Sequence, residues 1–359
     1  MFPGWRILFL TSWGRFQRRF ENILDDLKRH EELIDLEANA RNIAEARQMR
    51  EDIRTWREES LEQVRCDEEE RAAKHYRSVM SWLRFDESEQ LAIFESVFEE
   101  GTRFPGTCEW IVKHPKVCAW LRLKSDTPFV WLQGHPGTGK SVISGQLINF
   151  IRAQRLFVIR HFCTSFYASS TKYDYIVRSL LLQLLSTNGE SLAHVYQECV
   201  LGKKPSSITT LEQLLYLIIL NLADEPGKVR YLWIVLDGLD ECETDKQLRL
   251  LSLLNNITTK SASGGGTICK VLVSSRYSAV LFKHLRRRQV ISLSDETDQL
   301  NKAIRSYTIQ RLRSSAERLR QLELESEDVE DIASTITQKA DGESLLRGLS
   351  LSKYWNECL

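Results

Sequence analysis

Gly134-His135-Pro136-Gly137-Thr138-Gly139-Lys140-Ser141 has the spacing G-x-x-x-x-G-K-[ST] of a loop that cradles phosphate. Glycines let the main chain curl until several N–H groups turn inward, and a helix starting near Lys140 aims its positive end at the same point. Lys140 then reaches the outer phosphates as a point charge, and the Ser141 hydroxyl ligates Mg²⁺. Further along, Tyr231-Leu232-Trp233-Ile234-Val235-Leu236-Asp237-Gly238-Leu239-Asp240-Glu241 ends an apolar run on carboxylates. Asp237 is the natural partner of the metal. Asp240 and Glu241 follow closely enough to orient or deprotonate an attacking water, with Glu241 preferred as the base. Acidic turn residues with no such role are the plain alternative. Lys270-Val271-Leu272-Val273-Ser274-Ser275-Arg276 is another apolar run ending in polar groups. Ser275 or Arg276 could sense a terminal phosphate there, or Arg276 could simply face solvent.

These groups need a scaffold that brings strand ends to one edge. Phe129–Gln133, Phe157–Cys163, Tyr231–Leu236, Lys270–Ser274 and Gln289–Leu293 read as short buried strands. Helical stretches separate them, at about 140–153, 173–187, 191–201, 208–223, 245–257 and 278–287. Short apolar strands alternating with helices predict an α/β fold with a doubly wound parallel sheet. Its ligands gather at the carboxyl ends of the strands.

Residues 1–100 read differently. From residue 16 they are almost free of Gly and Pro and rich in Glu, Arg, Leu and Ala, which predicts an all-α bundle or long hairpin. One apolar stripe runs through Phe16, Phe20, Ile23, Leu24, Leu27 and Ile34, and a second through Ile43, Ala46, Ile53, Trp56, Leu61 and Val64. Residues 101–128 form a connector marked by Gly and Pro, with one short helix expected over Trp110–Leu123. Residues 129–294 are the strand-and-helix core, and 295–359 an extension with helices expected over Asp298–Leu324 and Ser326–Ala340.

The 359 residues carry 49 Lys+Arg and 49 Asp+Glu, so electrostatics give no reason to expect nucleic acid as a partner. The first hundred residues hold 16 basic against 23 acidic groups, leaving the remainder net basic. Eight scattered cysteines without a C-x-x-C pair argue against a zinc site or disulfide framework and for a reducing compartment. The longest apolar stretch, Leu214–Leu222, reaches about half of a membrane span. A cytoplasmic protein with no integral membrane segment is expected.

The phosphate loop, the strand ending Asp-Gly-Leu-Asp-Glu-Cys and the run Val-Leu-Val-Ser-Ser-Arg together resemble the NACHT group of STAND P-loop NTPases. The likeness is strongest to fungal NLR-like receptors with a nephrocystin-type nucleotide-binding segment. Gly106-Thr107-Cys108-Glu109-Trp110 and Arg178-Ser179-Leu180-Leu181 with Gln183-Leu184-Leu185 belong to it, and it covers residues 101–300. The resemblance implies Mg²⁺ with ATP or ADP as ligand, and GTP less often. It also implies a closed ADP form and an ATP form that opens and forms homo-oligomers, with protein partners recruited through the N-terminal helices. A guanine-type Asn-Lys-x-Asp signature is absent; Gln338-Lys339-Ala340-Asp341 lacks the Asn. Relatives continue into a winged helix and repeats, whereas here Glu343-Ser344-Leu345-Leu346-Arg347-Gly348 begins a different tail. The alternatives are a helical scaffold with nucleotide as a structural ligand, a steady-turnover ATPase or kinase, and a membrane-perturbing helical effector.

Overall fold

The computed structural model describes residues 19, 21–31, 43–123, 127–222, 229–263, 266–314, 331 and 334–335. In chain order the elements are α1 (21–31), α2 (Ile43–Leu83), α3 (Ser88–Arg103), α4 (Trp110–Lys113), α5 (Pro115–Leu121) and β1 (Phe129–Gln133). Next come α6 (Lys140–Ala153), β2 (Phe157–Phe162), α7 (Tyr173–Leu185) and α8 (Gly189–Val195), which runs into a wider turn at Tyr196–Leu201. α9 (Ile208–Leu220), β3 (Arg230–Asp237), α10 (Thr244–Ser263), β4 (Thr267–Ser275), α11 (Ala279–Leu285), β5 (Gln289–Ser292) and α12 (Thr297–Ser314) complete them. The helix expected over Ser326–Ala340 and the tail beyond it fall almost wholly outside the described residues, as does the stripe at Phe16, Phe20 and Ile34.

The chain divides into two compact units, Met1–Trp82 with Gly189–Lys204, and Leu83–Asn188 with Pro205–Leu359. In the first, α2 runs for 41 residues. His75 stacks on Tyr196 with ring centroids 4.0 Å apart, and the Trp82 indole N–H donates to the Lys204 carbonyl at 2.6 Å. The expected stripe along α2 is only partly covered. Ile53, Leu61 and Val64 are half-buried, and Trp56 is 57% exposed.

The second unit is an α/β layer structure. Its five strands are all parallel and ordered β2-β3-β4-β1-β5. On one face Val130, Leu132, Val158, Trp233, Val235 and Leu272 pack against Ile143, Leu147 and Ile151 of α6 and Phe94 of α3. The alternate residues, among them Trp131, Ile159, Ile234 and Val273, point the other way and are equally buried. A sheet covered on both faces is what runs of apolar residues without a polar alternation require. This unit starts at Leu83, ahead of the change in composition at residue 101, because α3 packs on α6 and β2.

The exposed flank of β2 is closed by side chains. Gln183 accepts from the Arg160 N–H at 2.9 Å and donates to its carbonyl at 2.7 Å, while Gln90 makes the same pair with Phe162 at 2.9 Å each way. Two amides thus stand in for a neighbouring strand at Arg160 and Phe162 and shorten the free ladder of this edge. The single helix expected over Trp110–Leu123 is broken instead. Pro115 cannot continue α4, and the His114 side chain caps α5 by accepting from the Lys116 N–H at 3.2 Å.

Candidate phosphate and metal site

The loop between β1 and α6 holds Gly137 and Gly139 at φ of 80° and 79°, left-handed values that favour glycine. That backbone course delivers Lys140 to the first turn of α6. The Lys140 ammonium donates to the carbonyls of Gly134 at 3.0 Å and His135 at 2.8 Å, so it folds back along its own loop. Burial pulls its pKa down, opposed by the nearby charges of Asp240 and Asp237. His135 serves through its main chain: its carbonyl also accepts from the Thr138 hydroxyl at 2.9 Å, while the residue itself is exposed beside Pro136.

The end of β3 brings the metal candidates together. Ser141 donates to Asp237 Oδ2 at 2.6 Å. Asp237 Oδ1 accepts from Ser144 at 2.8 Å and from Ser274 as well. Burial pushes the Asp237 carboxyl up, and the three hydroxyls hold it back. Ser144 and Ser274 went unremarked in the sequence. The signal for Ser144 is its i,i+3 spacing from Ser141 on one helix face. Ser274 follows from the pairing of β3 with β4, which sets Leu236 beside Val273 and therefore Asp237 beside Ser274.

After Asp237 the chain turns at Gly238, whose φ of 72° and tight fit both demand glycine; a Cβ there would lie 2.3 Å from the Cys163 carbonyl oxygen. The short turn Leu239–Glu241 then presents both candidate bases. Asp240 accepts from the Arg276 main-chain N–H at 2.8 Å and pairs with its guanidinium at 2.9 Å. Glu241 lies 3.6 Å from the same guanidinium and accepts from the Ser165 N–H at 2.7 Å. Arg276 therefore pairs with both acids while remaining exposed to solvent. Ser275 turns away from the site: it is fully buried, accepts from the Trp131 indole at 2.7 Å and donates to the Arg276 carbonyl.

Next to Thr138 and Gly139 lies a small cavity of about 20 Å³, room for about one water molecule, lined also by Cys108, Val142, Leu300 and Tyr307. Its walls come from the end of α3, the connector, the first turn of α6 and α12. Nothing in the sequence pointed to it, because its lining is drawn from three segments far apart in the chain.

Residues 106–276 match the family model described as nephrocystin 3, N-terminal. This stretch is a nephrocystin-like region. It takes in the loop, Asp237 and its serines, Asp240, Glu241 and Arg276, and stops short of β5 and α12. No curated protein matches the chain. Among the described residues no helix is long and apolar enough to cross a membrane, and no group of three or more His, Cys, Asp or Glu side chains could hold a metal by itself.

Proposed function

We propose that the chain binds Mg²⁺ with ATP, and GTP second, hydrolyses it slowly, and uses the bound state to control self-assembly or recruitment of a protein partner, as a NACHT-like signalling NTPase of the fungal NLR-like kind would. The observation that carries the reading is the contact of Ser141 with Asp237 at the mouth of the glycine loop, with Lys140 beside it. A hydroxyl and a carboxylate are hard oxygen donors. Mg²⁺ characteristically takes one or two such groups and fills its shell with water and substrate phosphate, so the donor set fits it. Ser141 and Asp237 would hold the ion, which would supply positive charge against the negative charge that develops on the phosphates.

The protein groups divide the remaining work. Main-chain N–H groups of Gly137–Ser141 face the phosphates, and Lys140 exchanges its loop carbonyls for phosphate oxygens. Asp237, held by three serines, keeps Ser141 and the ion aligned. Glu241 or Asp240 accepts the proton of the attacking water only after parting from Arg276, which supports slow turnover: both acids are engaged as they stand. Arg276 is then free to meet the terminal phosphate. The first unit, whose α2 leaves Trp56 exposed, supplies the surface for protein partners.

The test of the switch is particle size by light scattering with Mg²⁺ and either ATP or ADP, for the parent and Glu241→Gln. Growth with ATP, prolonged in the variant, supports it. Binding without any change in size favours the scaffold reading, in which nucleotide only stabilises the fold.

A further inference from the structure

The turn that carries Asp240 and Glu241 is braced differently at its two ends. At the start, the Gly238 N–H donates to the Ser274 hydroxyl at 3.2 Å, and the Leu239 side chain is fully buried. Inside the turn, the main-chain N–H groups of Glu241 and Cys242 donate to the carbonyls of Gly238 at 2.9 Å and Leu239 at 3.2 Å. The far end falls between this turn and α10, which starts at Thr244. There the carbonyls of Asp240 and Cys242, flanking Glu241, meet no main-chain N–H among the described residues. Both accept instead from the side-chain amide of Gln247, Asp240 at 3.4 Å and Cys242 at 2.7 Å. Gln247 lies in the first turn of α10 and is buried. Its own N–H donates to the Glu243 carbonyl at 2.9 Å, so the helix fixes the root of the side chain. Main-chain carbonyls in such a gap must find a side chain or water, and one amide here serves both.

We infer that Gln247 is a positioning residue for water activation, holding the main chain from which Asp240 and Glu241 reach the attacking water. The inference rests on the hydrolytic reading above and adds the group that sets where its base stands. For either acid to take a proton, its side chain must swing away from Arg276, and Glu241 must leave the Ser165 N–H as well. Such a swing ends in the right place only if the main chain that carries it stays put. A displacement of about 1 Å at a reacting group costs about 100-fold in rate. The amide of Gln247 bonds the turn, whereas phosphate and metal fall to Lys140, Ser141 and Asp237. Loss of that amide should therefore slow hydrolysis and spare nucleotide affinity. A merely stabilising contact would change neither in the folded protein.

The experiment measures single-turnover ATP hydrolysis and ATP affinity of the full chain with Mg²⁺, for the parent, Gln247→Leu and Gln247→Glu. Circular dichroism first shows matching folds. Gln247→Leu keeps the size of the side chain and loses the donor. Gln247→Glu offers a donor only when its carboxyl is protonated, and burial beside carbonyls raises the pH at which that happens. Gln247→Leu is expected to hydrolyse about 10- to 100-fold more slowly with unchanged ATP affinity. Gln247→Glu is equally slow at about pH 8, and its rate relative to the parent climbs as the pH falls to about 6, while the Gln247→Leu ratio stays flat. Should Gln247→Leu fail to fold, the pH course of Gln247→Glu decides alone. Three results overturn the positioning role and leave nucleotide binding standing: a folded Gln247→Leu at the parent's rate, a loss of affinity equal to the loss of rate, or a Gln247→Glu ratio independent of pH. A parent that binds ATP but never turns it over overturns the hydrolytic reading, and this inference with it.

Discussion

Lys270 lies in the middle of β4, fully buried, and donates to the carbonyls of Trp120 at 2.8 Å and of Arg122. It ties down the end of α5, and with it the connector that walls the cavity. Burial lowers its pKa from 10.5 to about 8. A lysine depressed in the folded state holds fewer protons there than in the unfolded chain between those two values. Stability from this site therefore rises with pH across the window, and below it the penalty is complete. That depression corresponds to a penalty of about 3 kcal/mol at neutral pH. Between pH 7 and pH 9 about 1 kcal/mol of it is recovered, and by pH 10 about 2.5 kcal/mol. Other groups titrate in the same range, so the informative quantity is the difference between the parent and Lys270→Met, which cannot titrate. Urea unfolding of both proteins at pH 7, 8, 9 and 10 gives that difference. It should move in the parent's favour by those amounts as pH rises. A difference independent of pH would mean that Lys270 stays fully charged without cost, and the reasoning from burial would fail.

Other substitutions probe the elements that position the site. Gly238→Ala should lower stability by about 2 kcal/mol or more in denaturant unfolding, from a left-handed φ and a Cβ pressed on the Cys163 carbonyl; an unchanged midpoint would contradict it. Ser144→Ala removes one of three hydroxyls from a buried carboxylate and should cost about 1.5 kcal/mol, with a raised Mg²⁺ requirement for nucleotide binding as the readout that mere loss of packing would not give. Gln183→Leu strips both amide bonds from Arg160 and should cost about 2–4 kcal/mol, and light scattering should show aggregation through the opened edge of β2.

The strands and the main helices were legible because each is an apolar run or a stripe of one period, flanked by Gly, Pro or polar turns. The turn at Gly137 and Gly139 was legible because glycine spacing encodes a backbone course. What the sequence hid came from contacts across the sheet and between distant segments. Ser274 looks like any strand-end serine until β4 is set between β1 and β3. Gln90 and Gln183 look like surface amides until β2 proves to be an edge. Ser275 and Arg276 are adjacent, yet Ser275 closes β4 facing Trp131 while Arg276, just past the strand, meets the acids. Trp56 misled for the opposite reason: helical spacing gives a face but does not say that anything covers it.

The central claim is that the glycine loop and Asp237 hold a nucleotide's phosphates and its metal. Isothermal titration of the full chain with ATP, with and without Mg²⁺, beside Lys140→Ala tests it most directly. The account predicts saturable, Mg²⁺-dependent binding by the parent and an affinity lower by about 100-fold in Lys140→Ala, from loss of the charge that meets the outer phosphates. Equal affinity in the two folded proteins, or binding indifferent to Mg²⁺, would contradict it.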